Sequence, residues 1–392
     1  MNLQLLMLAL CQGLFLTNNV TFMAINGLVG LSLAPSPWMA TLPITGYVAG
    51  GALCAGMVAR HQRAWGRKRG FQAGLAVAIL ASSLCAYAAS TRHFWLLVAA
   101  TLVAGYYNAN AGLYRFAATE LAAPQFKERA ISWVLAGGII GAVAGPNLAS
   151  ATRDALPVPF AGAYAVLVGV ALLALALVSC ITFPPLPLPS AARPGRPLRE
   201  IARQPVFIVA ATACAFGYGV MNLLMSATPI AMSQCAHPFA STALVLEWHV
   251  LGMFAPSFFT GALIKRFGAL RVMAVGVVLN AVCIVVALSG VELMRFLVAL
   301  FALGVGWNFL FIGGTTLFTE AYRPEERTTA QAAMDTLIFT TMTLSSFSSG
   351  ALVTTRGWTW LNLGSIVPVL LLGTTLAWLA MLRRRTQNLR TT

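Results

Sequence analysis

Residues 296–327 read FLVALFALGVGWNFLFIGGTTLFTEAYRPEER. From Phe296 to Phe318 no side chain is charged, and the apolar run is continuous rather than alternating, which fits a helix and not a half-buried strand. A helix needs about 20 mainly apolar residues to cross the hydrocarbon of a bilayer. Lipid offers the backbone no water, so only helices or closed barrels can span it. The run ends in TEAYRPEER, where charge and Pro324 stop it.

Working outward, the same texture covers all 392 residues: 59% are hydrophobic and 9% charged, against about 25% charged in a soluble domain. Twelve membrane-crossing helices are expected at 3–25, 38–58, 71–90, 94–119, 131–151, 160–182, 205–232, 242–263, 270–289, 293–319, 329–352 and 358–382. No basic residue precedes the first run, which is therefore expected to be a retained helix and not a cleaved signal peptide. The seven cysteines are odd in number and mostly inside spans, so they form no disulfide framework.

The net charge of +15 does not mark a nucleic-acid binder. Arg60, Arg63, Arg67, Lys68 and Arg69, then Lys127 and Arg129, then Arg193, Arg196, Arg199 and Arg203, then Lys265, Arg266 and Arg271, and finally Arg383 to Arg385 all fall on alternate connections and the C-terminal tail. The intervening connections hold only Arg92, Arg153, Arg295 and Arg356. This is the positive-inside asymmetry, and it places both termini in the cytoplasm of a multi-pass protein surrounded by lipid.

The polar stretch Pro184–Arg203, rich in proline and arginine, divides the chain into two bundles of six helices, 1–183 and 205–392, joined by a linker at 184–204. The halves echo each other. Thr119-Glu120 with Pro124 and Arg129 recurs as Thr319-Glu320 with Pro324 and Arg327, and the same offset aligns Asn108 with Asn308. Over its whole length the chain resembles the major facilitator superfamily, whose two six-helix repeats hold a substrate site near the midplane. Gly56, Arg63, Gly66, Arg67 and Lys68 resemble the family's gating motif, with Gln62 near the place of the usual aspartate. Glu120 with Arg129 and Glu320 with Arg327 are expected to latch the inner gate.

Two pairs at i and i+4 stand out: Met221 and Met225 in the seventh span, His249 and Met253 in the eighth. Each pair shares one helix face. At 1.5 Å per residue, Met225 and His249 lie about 10 Å inside the outer ends of their spans, Met221 and Met253 about 16 Å. If the faces meet, three thioethers and an imidazole form a soft donor set suited to Cu(I). Ordinary packing is the plainer role for a methionine pair, but an ionisable group inside a membrane points to function. His249 could also move protons or bond an organic solute.

The pairs Met-x-x-x-Met and His-x-x-x-Met on these two spans resemble the motifs of CcoA-type bacterial copper importers. That resemblance implies an inner-membrane importer carrying copper from periplasm to cytoplasm by alternating access, for assembly of haem-copper cytochrome oxidase. Met221, Met225, His249 and Met253 would be its ligands, Cys235 a further thiol, and Cys214 a looser match. Met232, Cys235 and His237 lie together in the sequence and would receive the ion at the outer mouth. No enzyme motif and no prosthetic group is expected, and the chain is expected to be a monomer.

Two other readings stay open. One is an organic-solute carrier, for riboflavin-like uptake or drug efflux, with Tyr106, Tyr107, Trp248 and Trp307 stacking on a flat ring. The other is a membrane copper sensor that binds without turnover. Asn18, Asn19, Asn26, Asn108, Asn110 and Tyr114 could line the cavity or bond helix to helix. Asp335 is a candidate for carrying a coupling proton, or for pairing with a cation nearby; Arg115 is the other deep charge.

Overall fold

The computed structural model describes residues 3–123, 126–184 and 195–391, without the side chains of 127–129, 131–132, 324, 327–328 and 386–391. Residues 185–194 of the 184–204 linker, and the side chains of Arg129 and Arg327, thus lie outside the described residues. The described residues are helical, with no strand. In the first half these are α1 (Leu3–Leu33), α2 (Leu42–Ser90), α3 (Phe94–Ala111), α4 (Tyr114–Leu121), α5 (Lys127–Ala151) and α6 (Ala161–Cys180). The short α7 (Leu198–Ala202) lies in the connection. The second half has α8 (Pro205–Gln234), α9 (Phe239–Phe254), α10 (Ser257–Phe267), α11 (Ala269–Leu288), α12 (Leu293–Phe318), α13 (Arg327–Thr355) and α14 (Gly357–Thr391).

Nine of the described helices are long and apolar enough to cross a bilayer, or ten if α9 and α10, bent by 41°, form one span. The expected count of twelve is therefore not reached by length and composition alone, and the differences have local causes. The second and third expected spans are one helix, α2, whose 49 residues would reach about 74 Å if straight, against a hydrocarbon core of about 30 Å. It breaks at Gly66, with φ 79° and ψ 167°, a conformation open in practice only to glycine. The basic segment expected to be a loop thus stays helical on both sides of the break.

The fourth span divides into α3 and α4 at Gly112 and Leu113, and the eighth divides at Ala255 and Pro256. Asparagines hold these divided regions. Asn308 of α12 donates to Met253 O and Ser257 Oγ, each 2.7 Å, and accepts from Thr260 Oγ1 at 2.7 Å, tying both sides of the α9–α10 break to one side chain. In the first half Asn110 donates to Gly70 O at 2.9 Å and accepts from Gln62 Nε2 at 3.1 Å.

The apolar core has one part at one end of the bundle and two at the other. At the end opposite the basic connections, both halves share a single core, in which Ile25 and Val29 of α1 belong with Leu224 and Ile230 of α8. At the basic end the first half has its own core around Leu8, Phe71 and Tyr114, and the second half another around Phe207, Leu310 and Met334. A molecule closed at one end and double-cored at the other has a cleft between its halves that opens toward the basic end.

The closed end is joined by specific contacts. Thr41 Oγ1 donates to Ser346 O at 2.7 Å and accepts from Gly350 N at 3.0 Å. Trp38 meets Phe347 edge-on at 6.0 Å, and Phe160 meets Phe239 at 4.9 Å.

Candidate functional site

The apex of the cleft is the level at which the shared core gives way to the separate ones. Tyr218 of α8 and Phe311 of α12 touch both the shared core and the second half's own core; Phe254 of α9 touches the shared core and the first half's. All three are half-buried. Trp307 and Phe311, one helical turn apart on α12, stack at 5.2 Å with planes 8° apart. Tyr218 stands edge-on to Trp307 at 4.9 Å and to Phe311 at 5.2 Å, and Phe254 lies 6.1 Å from Trp307. Trp307 Nε1 is enclosed with no hydrogen-bond partner, an N–H in a place where nearly all such groups are satisfied. Opposite, Asn19 of α1 is half-buried and donates to Tyr47 Oη at 3.1 Å.

Two charges flank this patch. Arg115 belongs to the first half and Asp335 to the second; both are exposed, and their fields reach each other and Tyr218. No ion pair within 4 Å joins them, as expected of groups on opposite walls of an open cleft.

At the basic end Glu120 is held by Arg67, with Nη2 to Oε1 at 2.6 Å, and Arg67 also donates to Gln62 Oε1 at 2.6 Å. Gln62 in turn reaches Asn110. The amide thus takes a bridging place between Arg67 and Asn110. Glu320 pairs with Arg383 at 2.6 Å. Glu326, which the sequence did not single out, is enclosed at 1% side-chain exposure and pairs with Arg196 at 2.8 Å. Arg196, with the amides of Arg323 and its own residue, holds the Glu326 carboxyl well below the usual carboxylate range.

The four soft donors are all enclosed: Met221, Met225 and Met253 are buried in the shared core, and His249 is fully buried. Yet α8 and α9 touch little; α9 packs chiefly on α12, and α8 on α13 and then α12. His249 Nδ1 meets Leu300 O of α12 at 2.6 Å, leaving Nε2 enclosed without a partner. α12 lies against both helices. Cys235 caps α8, ten residues and about 15 Å of rise beyond Met225. Cys214 faces α12 below the pair, 3.9 Å from Phe311 O. Near the end of α8 Met232 is buried at 0% exposure, while His237 binds Val291 O at 2.8 Å. Among the described residues no group of three or more His, Cys, Asp or Glu is gathered.

Of the aromatics expected to stack on a ring, only Trp307 reaches the apex. Tyr106 is taken by His61 at 2.8 Å, Tyr107 is buried against Phe15, and Trp248 is 47% exposed beside Phe301 on the surface of the bundle. Tyr218, Phe254 and Phe311 were missed, although Trp307 and Phe311 at i and i+4 were a visible signal.

Two packed helical halves around a cleft with an aromatic apex define a membrane carrier. The chain belongs to the Major Facilitator Superfamily, which it matches over residues 5–246 and 217–392; members of that family are transporters, not enzymes. It is 39% identical over 361 residues, 91% of each chain, to the riboflavin transporter RfnT of Brucella anthropi. It is 27% identical over 372 residues to the uncharacterized MFS-type transporter YddS of Bacillus subtilis, covering 90% of this chain and 85% of that one. The fold is similar to that of the human organic anion transporter MFSD10 (TETRAN), with TM-score 0.69 and 14% identity over 96% of this chain and 100% of that one.

Proposed function

We propose that this chain carries a flat heteroaromatic solute of the riboflavin type across a bacterial inner membrane into the cytoplasm by alternating access. The observation that carries the reading is the aromatic apex formed by Tyr218, Phe254, Trp307 and Phe311, in a chain 39% identical to a riboflavin transporter. A planar ring offers two faces for offset or edge-on contact with such side chains. Its carbonyl oxygens would satisfy the unpartnered Trp307 N–H. The basic end faces the cytoplasm, with both termini, so the conformation is inward-open.

In this reading twelve crossings form two bundles, 1–183 and 205–392, with 184–204 as linker. Four of the crossings are supplied by the broken elements, two by α2 and one each by α3–α4 and α9–α10. Glu120 and Glu320, with the latches they make, and the Arg196–Glu326 pair steady the inner gate, and the chain works as a monomer. Uptake of labelled riboflavin by cells unable to synthesise it tests the proposal. Accumulation that depends on this chain, and falls on Tyr218→Ala, is the expected result; absence of riboflavin exchange in reconstituted vesicles refutes it.

Copper import is the second reading. Its support is the unpartnered Nε2 of His249 and three enclosed thioethers. It ranks behind the organic solute because the similar transporter named above carries riboflavin. It requires that Met221→Ala and His249→Ala abolish copper accumulation at matched protein levels.

A further inference from the structure

The shared core closes the outer end of the cleft, but above it a cavity of about 420 Å³ remains, walled by both halves. Arg153 and Phe160 come from the α5–α6 connection; Ser233, His237, Phe239 and Thr242 come from the end of α8 and the start of α9. The cavity lies on the far side of the closed gate from the aromatic apex, so it is no part of the inner cleft.

Its chemistry is specific. The Arg153 guanidinium lies over the Phe160 ring at 5.5 Å, and Phe160 meets Phe239 of the other half edge-on at 4.9 Å. Arg153 Nε is enclosed and makes no hydrogen bond; it forms a loose ion pair with Asp154 Oδ1 at 3.7 Å, and the side chain as a whole is 41% exposed. Phe160 holds a left-handed φ of 65°, strained for a residue with a Cβ, and its amide is fixed by Arg153 O at 2.7 Å. The connection is thus folded back on itself so that a cation and two rings face one space. Ser233, Thr242 and His237 add polar groups around it.

We infer that this cavity is a second, peripheral binding site for the transported solute, with rings against its flat face and Arg153 donating to its carbonyl edge. The inference rests on the riboflavin-type reading above. A flavin has what such a site takes: a planar ring, an edge of carbonyl acceptors and a hydroxylated tail for Ser233 and Thr242. Because the walls come from both halves, the site exists while the outer gate is shut and divides when the gate opens, which releases the solute toward the apex.

The test is a titration of riboflavin fluorescence against the full chain in lipid nanodiscs, paired with uptake kinetics from the outer side of vesicles. Wild type is expected to bind two molecules. Arg153→Ala should bind one and raise the outer KM about three- to tenfold, the range of a partly desolvated cation–π contact, with kcat unchanged. Ser233→Trp, which fills the cavity from an exposed position, should do the same without touching Arg153 or Phe160. Trp307→Ala should remove the other site and keep the peripheral one. One site in wild type, lost with Trp307→Ala and indifferent to Arg153→Ala and Ser233→Trp, overturns the peripheral site alone. No riboflavin binding by wild type overturns the transport reading and this site with it.

Discussion

A single N–H illustrates how much a residue decides in this cleft. Trp307 contributes a stacked face and an enclosed donor with no partner, and the two roles separate by substitution. Trp307→Phe keeps the ring and removes the donor, so riboflavin affinity is expected to fall about two- to tenfold, the worth of one hydrogen bond at roughly 0.5–1.5 kcal/mol. Trp307→Ala removes both and should cost more than Trp307→Phe in the same fluorescence titration; equal losses would assign no role to the stack. Glu326 sets a different expectation. Its folded pKa is depressed, chiefly by the Arg196 hydrogen bonds, so its stabilising contribution is complete above the unfolded value near 4.3 and is lost only as pH falls through the lower folded value. The latch is therefore flat across pH 5 to 8. Protease cutting in the linker should be equal at both ends of that window, and should rise with Glu326→Gln at either pH.

At the scale of elements, closure of the end opposite the basic connections depends on how nearly α13 approaches the start of α2. Thr41 both donates to α13 and accepts from it, and a Cβ at Gly350 would stand against Thr41 Oγ1 and 2.9 Å from its amide nitrogen. Gly350→Val is expected to hold this end open: an outer-side thiol probe at Phe239→Cys should react faster than in the parent, and uptake should fall about tenfold or more. Unchanged labelling would show that the gate closes elsewhere. These contacts were not legible in the sequence, because Thr41 and Gly350 belong to different halves and carry no local signal. The helices were legible, since continuous apolar runs read the same in any tertiary setting. Their breaks were not. Asn308 was visible as a polar residue inside an apolar run, but its role in holding α9 to α10 depends on a neighbouring helix. For the methionine and histidine pairs, spacing fixes a shared face, and only packing decides that α12 lies against both helices.

For the whole molecule, the repeated Thr-Glu segment and the basic connections made the two halves readable, whereas the conformational state follows only from the division of the core. One shared core and two separate ones describe a carrier open at its basic end, and alternating access requires the opposite arrangement as well. When the basic end closes, α4 of one half and α13 of the other must approach, and the charges they bring are Arg115 and Asp335. They attract without touching in this state, so their contact belongs to the state in which the basic end is closed. Arg115→Asp alone places two carboxylates across the closing gate, and Asp335→Arg alone places two guanidiniums there; each is expected to slow riboflavin exchange about tenfold, a difference of roughly 1.4 kcal/mol in the closed state. The exchanged pair, Arg115→Asp with Asp335→Arg, restores opposite charges and should recover most of that loss. Additive losses in the double variant would mean that the two charges do not meet during the cycle, and the inner gate would then have to close through Glu120, Glu320 and Glu326.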